Sequence, residues 1–323
     1  MANYLVTGAA GFIGAYTTEM LVRDGHTVTG IDNMNDAYDV RMKEHRLLRL
    51  QKLPGFTFQK IDISLKSDVE PLKKVRFDAI INLAARAGVR ASVENPWQFY
   101  ETNVTGTLNL LEMSHSTGIK KFVMASTSSI YGANPPYPTS ESASSSEPLQ
   151  QYAASKKAAE VLAHAYHSLH GLDVSILRYF TVYGPAGRPD LAMFRFCQWI
   201  NEGQPVRVNG DGEQSRGFTY VDDIARGTIL ALKPLGYEII NIGGHEVITI
   251  NGLIKLLEEL IGKKADVQYG PPNQADMLSN WADVSKAGQM LGWEPRVGLR
   301  EGVKKIVDWY AAERSWVSGV LTP

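Results

Sequence analysis

The stretch "YLVTGAAGFIG", residues 4–14, decides the fold. Residues 4–7 have the apolar, β-prone composition of a short buried strand, and residues 12–24 carry apolar side chains at helical spacing. Between them stand glycines at 8, 11 and 14. Gly8 permits a tight turn, Gly11 lets the backbone approach a pyrophosphate, and Gly14 allows the helix to pack closely, its N-terminus facing the anion. Phe12 and Ile13, inside this turn, are expected beside the same ligand.

Outward from that turn, "TVTGID" (27–32) reads as a second strand ending in Asp32, with Asn33 after it. A carboxylate there accepts hydrogen bonds from adenosine ribose hydroxyls and disfavours a 2′-phosphate, so the predicted cofactor is NAD rather than NADP. Further apolar runs follow at 56–62, 78–85, 121–126, 173–179 and 238–244, with helical patterns at 96–118, 152–169 and 220–232. This rhythm predicts an α/β, Rossmann-type doubly wound parallel sheet of about seven strands. Asp62 and Ile63, closing the third run, are placed to meet adenine, although Asp62 also suits the start of the next helix. Past residue 180 the pattern changes to helices at 191–202, 251–261 and 300–314 between loops such as "YGPAGRPD" and "YGPPNQAD". The expected division is a dinucleotide-binding domain over 1–180, rejoined by 218–245, and a smaller interleaved substrate domain from 181–217 and 246–323. "SESASSSEP" (140–148) reads as a polar surface loop.

The bulk composition limits the alternatives. With 323 residues, 44% of them hydrophobic, the chain can bury a large core. Its 33 basic and 34 acidic residues leave no global field to recruit nucleic acid or an anionic membrane. No apolar run is long enough to span a bilayer and the N-terminus lacks a signal-peptide pattern, so a cytoplasmic location is expected. The single cysteine, Cys197, reads as a small core residue. His164, His167 and His170 lie three apart on a predicted helix, where they fan around the surface, so no metal site is expected.

Two stretches carry chemistry. "YAASK" sets Tyr152 and Lys156 four apart on one helix face. A phenol is a poor base at neutral pH, and a nearby ammonium with an oxidised nicotinamide stabilises its phenolate. "MASTSSIYG" (124–132) ends the fifth strand in a row of hydroxyls, Ser126 to Ser129. Such a row is either a solvated turn or the wall of a polar pocket.

The glycine turn and the Tyr/Lys pair together resemble the short-chain dehydrogenase/reductase superfamily. Residues 82–112, "RYFTVYGP" (178–185) and "NGDGEQSRGFTYVDDIA" (209–225) resemble its extended, sugar-nucleotide-modifying branch, and the likeness covers essentially the whole chain. The resemblance implies a Ser or Thr beside the catalytic tyrosine. Counting back from Tyr131 and Gly132 reaches Thr127, with Ser126 the alternative. It also implies cofactor contacts from Leu83, Ala84, Ala85, Asn103 and Tyr179, a nucleotide diphosphate contact from Arg216, and a uridine ribose contact from Asp276. A homodimer through helices at about 96–118 and 152–170 is implied as well.

Within this branch, 4,6-dehydratases carry an Asp-Glu pair after the catalytic threonine, and UDP-glucuronate decarboxylases carry a glutamate in the same turn. This chain has Ser128 and Ser129. What remains resembles the 4-epimerases, and "AARAGVRAS", "DNMNDAYD" and "GPAGRPD" look most like the UDP-glucuronate 4-epimerases. Oxidising C4 of a glucuronate makes a β-keto acid, which loses carbon dioxide when its carboxylate bond stands perpendicular to the carbonyl plane. Hydroxyls at Thr127, Ser128, Ser129 and Thr181 can hold the carboxylate in an unreactive orientation without an acid to protonate C5. Arg188 is expected to bind either the carboxylate or the nucleotide, or else to pair with Asp190. The expected activity is NAD-dependent 4-epimerisation of UDP-glucuronate. Its alternatives are a 4-epimerase of neutral UDP-hexoses, a decarboxylase, and a dinucleotide-sensing regulator on the same fold.

Overall fold

A computed structural model of the chain describes residues 1–244, 246–272 and 279–322. Its strands, in chain order, are β1 (Asn3–Thr7), β2 (Thr27–Asp32), β3 (Phe56–Lys60), β4 (Ala79–Asn82), β5 (Lys121–Thr127), β6 (Asp173–Tyr179), β7 (Thr181–Tyr183), β8 (Val206–Asn209), β9 (Ser215–Tyr220), β10 (Tyr237–Ile242), β11 (Glu246–Thr249) and β12 (Val267–Gly270). Seven form one sheet in the order β3-β2-β1-β4-β5-β6-β10, with every neighbour parallel. This is the α/β doubly wound architecture expected from the alternation of runs. The chain winds outward from β1 to β3 and then returns to β4 on the other side of β1. Strand order therefore reverses between β1 and β4, and the loops at their C-terminal ends part to leave a crevice.

Strands buried on both faces need apolar residues at consecutive positions. Leu5, Ile80, Phe122 and Ile176 face a layer with Leu110, Leu111, Ala159 and Ala163, while Val6, Ile81, Val123 and Leu177 face another with Leu21 and Ile224. All are fully shielded from solvent. Truncating one of the leucines to alanine at such a site costs about 2–5 kcal/mol.

Two expectations need correction. Residues 96–118 are not one helix: Pro96–Tyr100 and Gly106–Thr117 are α-helical, and a wide π-helical turn, Glu101–Thr105, joins them. The extra residue turns Asn103 inward, where its amide bonds both to the Arg86 backbone and to Ser155 Oγ. The second half of the chain also contains more strand than its helical pattern predicts. β11-β9-β7 and β12-β8 form two small sheets, built from runs too short to show periodicity. The helix Val221–Leu230 packs on the helix Phe12–Arg23 and feeds β10 back into the main sheet. Cys197 is completely buried, and burial pushes its thiol up to about 12, which leaves it unreactive. No helix among the described residues is long and apolar enough to cross a membrane.

Candidate active site

A cavity of about 690 Å³ opens at the C-terminal ends of β1, β2 and β4–β6 and continues between them and the residues around β7–β9. Its floor is the glycine turn. Gly8 has φ +66°, and a Cβ there would stand 2.8 Å from Ala84 N, in the loop after β4. A Cβ on Gly14 would meet Gly8 O at 2.1 Å, so the helix Phe12–Arg23 starts hard against the turn, its amides facing the cavity. Phe12, Ile13, Leu83, Ala84 and Ala85 line the same end. Such a cradle fits the pyrophosphate of a dinucleotide.

Next along the cavity wall come Asp32, Asn33, Asp62 and Ile63. Asn33 Nδ2 donates to Asp62 Oδ2 (2.9 Å), and Ser64 donates to Asp62 Oδ1 through both N and Oγ. Burial pushes the Asp62 carboxyl up, but these hydrogen bonds outweigh it and hold the pKa below the usual range. Asp62 thus braces its own loop, and Leu65 occupies the start of the following helix. Asn103, expected at the cofactor, is fully buried behind the loop carrying Arg86 and does not line the cavity. Tyr179 does line it, with its hydroxyl 2.7 Å from Thr228 Oγ1.

The hydroxyl row is a cavity wall. Thr127 closes β5 in extended conformation, and its Oγ1 accepts from Ser129 N, capping the short 3₁₀ turn Ser128–Tyr131. Thr127 Oγ1 also donates to Ser129 Oγ at 3.2 Å. Ser126 is engaged elsewhere, donating to Glu160 Oε1 at 2.6 Å. Glu160 is buried and forms a two-pronged ion pair with Arg178, whose other arm reaches Tyr131 Oη. This network clamps β5, β6 and the helix Gln151–His170 together behind the site.

Tyr152 and Lys156, on that helix, both line the cavity. Burial raises the Tyr152 pKa, against the Thr127 hydroxyl and the Arg188 charge, which lower it. Arg188 is thus a second cation near the phenol, beside the expected Lys156. Burial drops the Lys156 ammonium to about 8, partly offset by Glu160. Arg188 forms a two-pronged pair with Asp190, Nε to Oδ1 at 3.0 Å and Nη2 to Oδ2 at 2.6 Å, and donates to Ala87 O. Thr181 and Arg216 line the remaining wall, while Asp276 lies outside the described residues.

Two residues passed over in the sequence also belong here. Asn280 lines the cavity and its Nδ2 donates to Ser128 Oγ at 3.0 Å. Lys43 lines it beside Asp32. Neither stands in a motif with a local signature. Of the three spaced histidines, His170 packs on His115, while His164 and His167 pack on Tyr237.

Residues 4–243 match the model of the NAD dependent epimerase/dehydratase family. A UDP-glucuronate 4-epimerase of Thermodesulfobacterium geofontis is 54% identical over 315 residues, covering 96% of each chain. The crystal structure of a UDP-glucuronic acid 4-epimerase from Bacillus cereus, in complex with UDP-glucuronic acid and NAD, superposes with a TM-score of 0.91 at 35% identity, over 96% of this chain and 99% of that one. A UDP-glucose 4-epimerase from Thermotoga maritima, with UDP-glucose, superposes with a TM-score of 0.90 at 34% identity, over 97% and 99%.

Proposed function

The chain belongs to the NAD dependent epimerase/dehydratase family, and from that premise we propose that it is an NAD-dependent UDP-sugar 4-epimerase interconverting UDP-glucuronate and UDP-galacturonate. The observation that carries the substrate is the hydroxyl wall: Thr127, Ser128, Ser129 and Thr181 line the cavity shared with Tyr152, and the turn after β5 holds no carboxylic acid.

Bound NAD supplies a reversible hydride acceptor for C4 of the sugar. Tyr152 takes the C4 hydroxyl proton and later returns it. Thr127 orients the reacting oxygen, and Lys156 holds the nicotinamide ribose. Ser128, Ser129 and Thr181 bind the carboxylate of the 4-keto sugar away from the perpendicular geometry that expels carbon dioxide. Arg188, kept charged by Asp190, lowers the phenol pKa; Arg216 and Asp276 are assigned to the nucleotide. The sugar turns over before hydride returns to its other face, so there is no net redox change.

Residues 1–180 and 218–245 are assigned chiefly to the dinucleotide and 181–217 with 246–323 chiefly to the UDP-sugar, which Thr127, Ser128, Ser129 and Tyr152 reach from the first part. Self-association is assigned to the face over Pro96–Tyr100, Gly106–Thr117 and Gln151–His170, where Trp97, Val161 and Leu169 are exposed. Light scattering giving a monomer mass would remove that assignment. The substrate test is incubation with UDP-glucuronate, following sugar products by NMR and carbon dioxide by carboxyl label. UDP-galacturonate without carbon dioxide is expected. Turnover of UDP-glucose alone would move the protein to the neutral-sugar epimerases.

A further inference from the structure

Asp32 does not stand alone at the ribose end of the cavity. Its Oδ1 accepts from Met34 N at 2.8 Å and from Lys43 Nζ at 3.2 Å. Lys43 reaches in from the helix Arg41–Leu50 and is only 5% exposed. Its ammonium also donates to Asn35 Oδ1 at 3.2 Å and lies 5.7 Å from the centre of the Tyr38 ring. Asp32, Asn35, Tyr38 and Lys43 all line the cavity. A shielded cation is therefore built into the subsite expected to reject a ribose phosphate.

This changes what makes the site selective. A carboxylate and an ammonium 3.2 Å apart are nearly neutral together, so the pair exerts little net repulsion on a phosphate. One carboxylate oxygen is occupied by protein donors, while no protein donor among the described residues reaches Oδ2, the atom available to a ribose diol. Resting on the reading of this cavity as a dinucleotide site, we propose that Lys43 is a specificity-determining residue masked by Asp32. With the carboxylate present, Lys43 is spent on Asp32 and a ribose diol is preferred. Without it, the ammonium becomes a donor to a ribose 2′-phosphate, and the subsite accepts the phosphorylated dinucleotide.

The test measures binding, not turnover. NAD and NADP are titrated by calorimetry into wild type, Asp32→Ser, Asp32→Asn and the double variant Asp32→Ser/Lys43→Met, each checked for its thermal unfolding transition. Asp32→Asn nearly preserves the side-chain shape and guards against loss of fold in the serine variant. Wild type should bind NAD at least about tenfold more tightly than NADP. Both single variants should tighten NADP by about tenfold or more, the scale of a charge-assisted hydrogen bond, and the gain should weaken with salt. The double variant should lose it. Equal NADP affinity in Asp32→Ser and the double variant, or no gain in either folded single variant, overturns the inference. Failure of wild type to bind either dinucleotide would instead overturn the cofactor reading beneath it.

Discussion

Asn280 Nδ2 and Ser128 Oγ, 152 residues apart in the chain, meet at 3.0 Å. The bond ties the segment after Ser279 to the turn after β5 and uses a Ser128 lone pair. A Ser128 engaged in this way still has its hydroxyl proton to donate.

Ser128→Ala and Asn280→Ala should both release carbon dioxide from carboxyl-labelled UDP-glucuronate, with UDP-4-keto-pentose or UDP-pentose as co-product. A hydrogen bond to a charged group is worth roughly 1.5–3 kcal/mol, enough to change partitioning by about tenfold or more. Asn280→Ala should leak less than Ser128→Ala, because it loosens the donor without removing it. Clean epimerisation by both variants would remove the carboxylate clamp from the mechanism.

Tyr152→Phe should lower kcat by at least ~10²-fold with little change in binding of the UDP-sugar, the scale of a positioned acid/base. Thr127→Val should be milder. Ser126→Ala should act mainly on stability, since that hydroxyl serves Glu160. Steady-state kinetics beside urea unfolding separates these cases, and near-normal turnover of Tyr152→Phe contradicts the assignment.

Arg188 favours the Tyr152 phenolate, so removing its charge raises the phenol pKa. The rising limb of the kcat–pH profile of Arg188→Leu should therefore move to higher pH. An unmoved or acid-shifted limb would show that the phenol does not titrate under this charge.

Lys156 supplies a stability signature with a definite sign. Its folded pKa, about 8, lies below the ordinary lysine value of ~10.4, so between those values the unfolded chain binds more protons. Stability contributed by this group therefore rises with pH across that window, by about 3 kcal/mol in total. Lys156→Met should abolish this rise while eliminating turnover, and should be at least as stable as wild type at pH 7. Urea midpoints at pH 7 and 9.5 measure it; the same pH dependence in both proteins would refute the shifted lysine.

Local patterns were enough for much of this molecule. The glycine turn, the alternation of apolar runs and the Tyr152/Lys156 spacing each lie within a few residues, and backbone sterics and helix geometry translate them directly into position. The π-helical turn at Glu101–Thr105 and the small sheets were hidden, because the turn answers to buried partners around Asn103 and the strands are only three to six residues long.

The row Ser126–Ser129 shows where sequence stops. That it ends a buried strand is legible, since β5 is apolar and enters the sheet. All four residues line the cavity, but that Ser126 spends its proton on Glu160 and that Ser128 accepts from Asn280 is set by residues far along the chain. Lys43 at Asp32 and Arg188 near Tyr152 are likewise meetings between separate segments. The sequence by itself determined the sheet and the glycine cradle, and it singled out Tyr152 as the candidate phenol. Only the tertiary structure decided which polar groups spend their hydrogen bonds on one another and which turn toward a ligand, because a buried donor or acceptor takes the partner that packing brings within about 3 Å, whatever its distance along the chain.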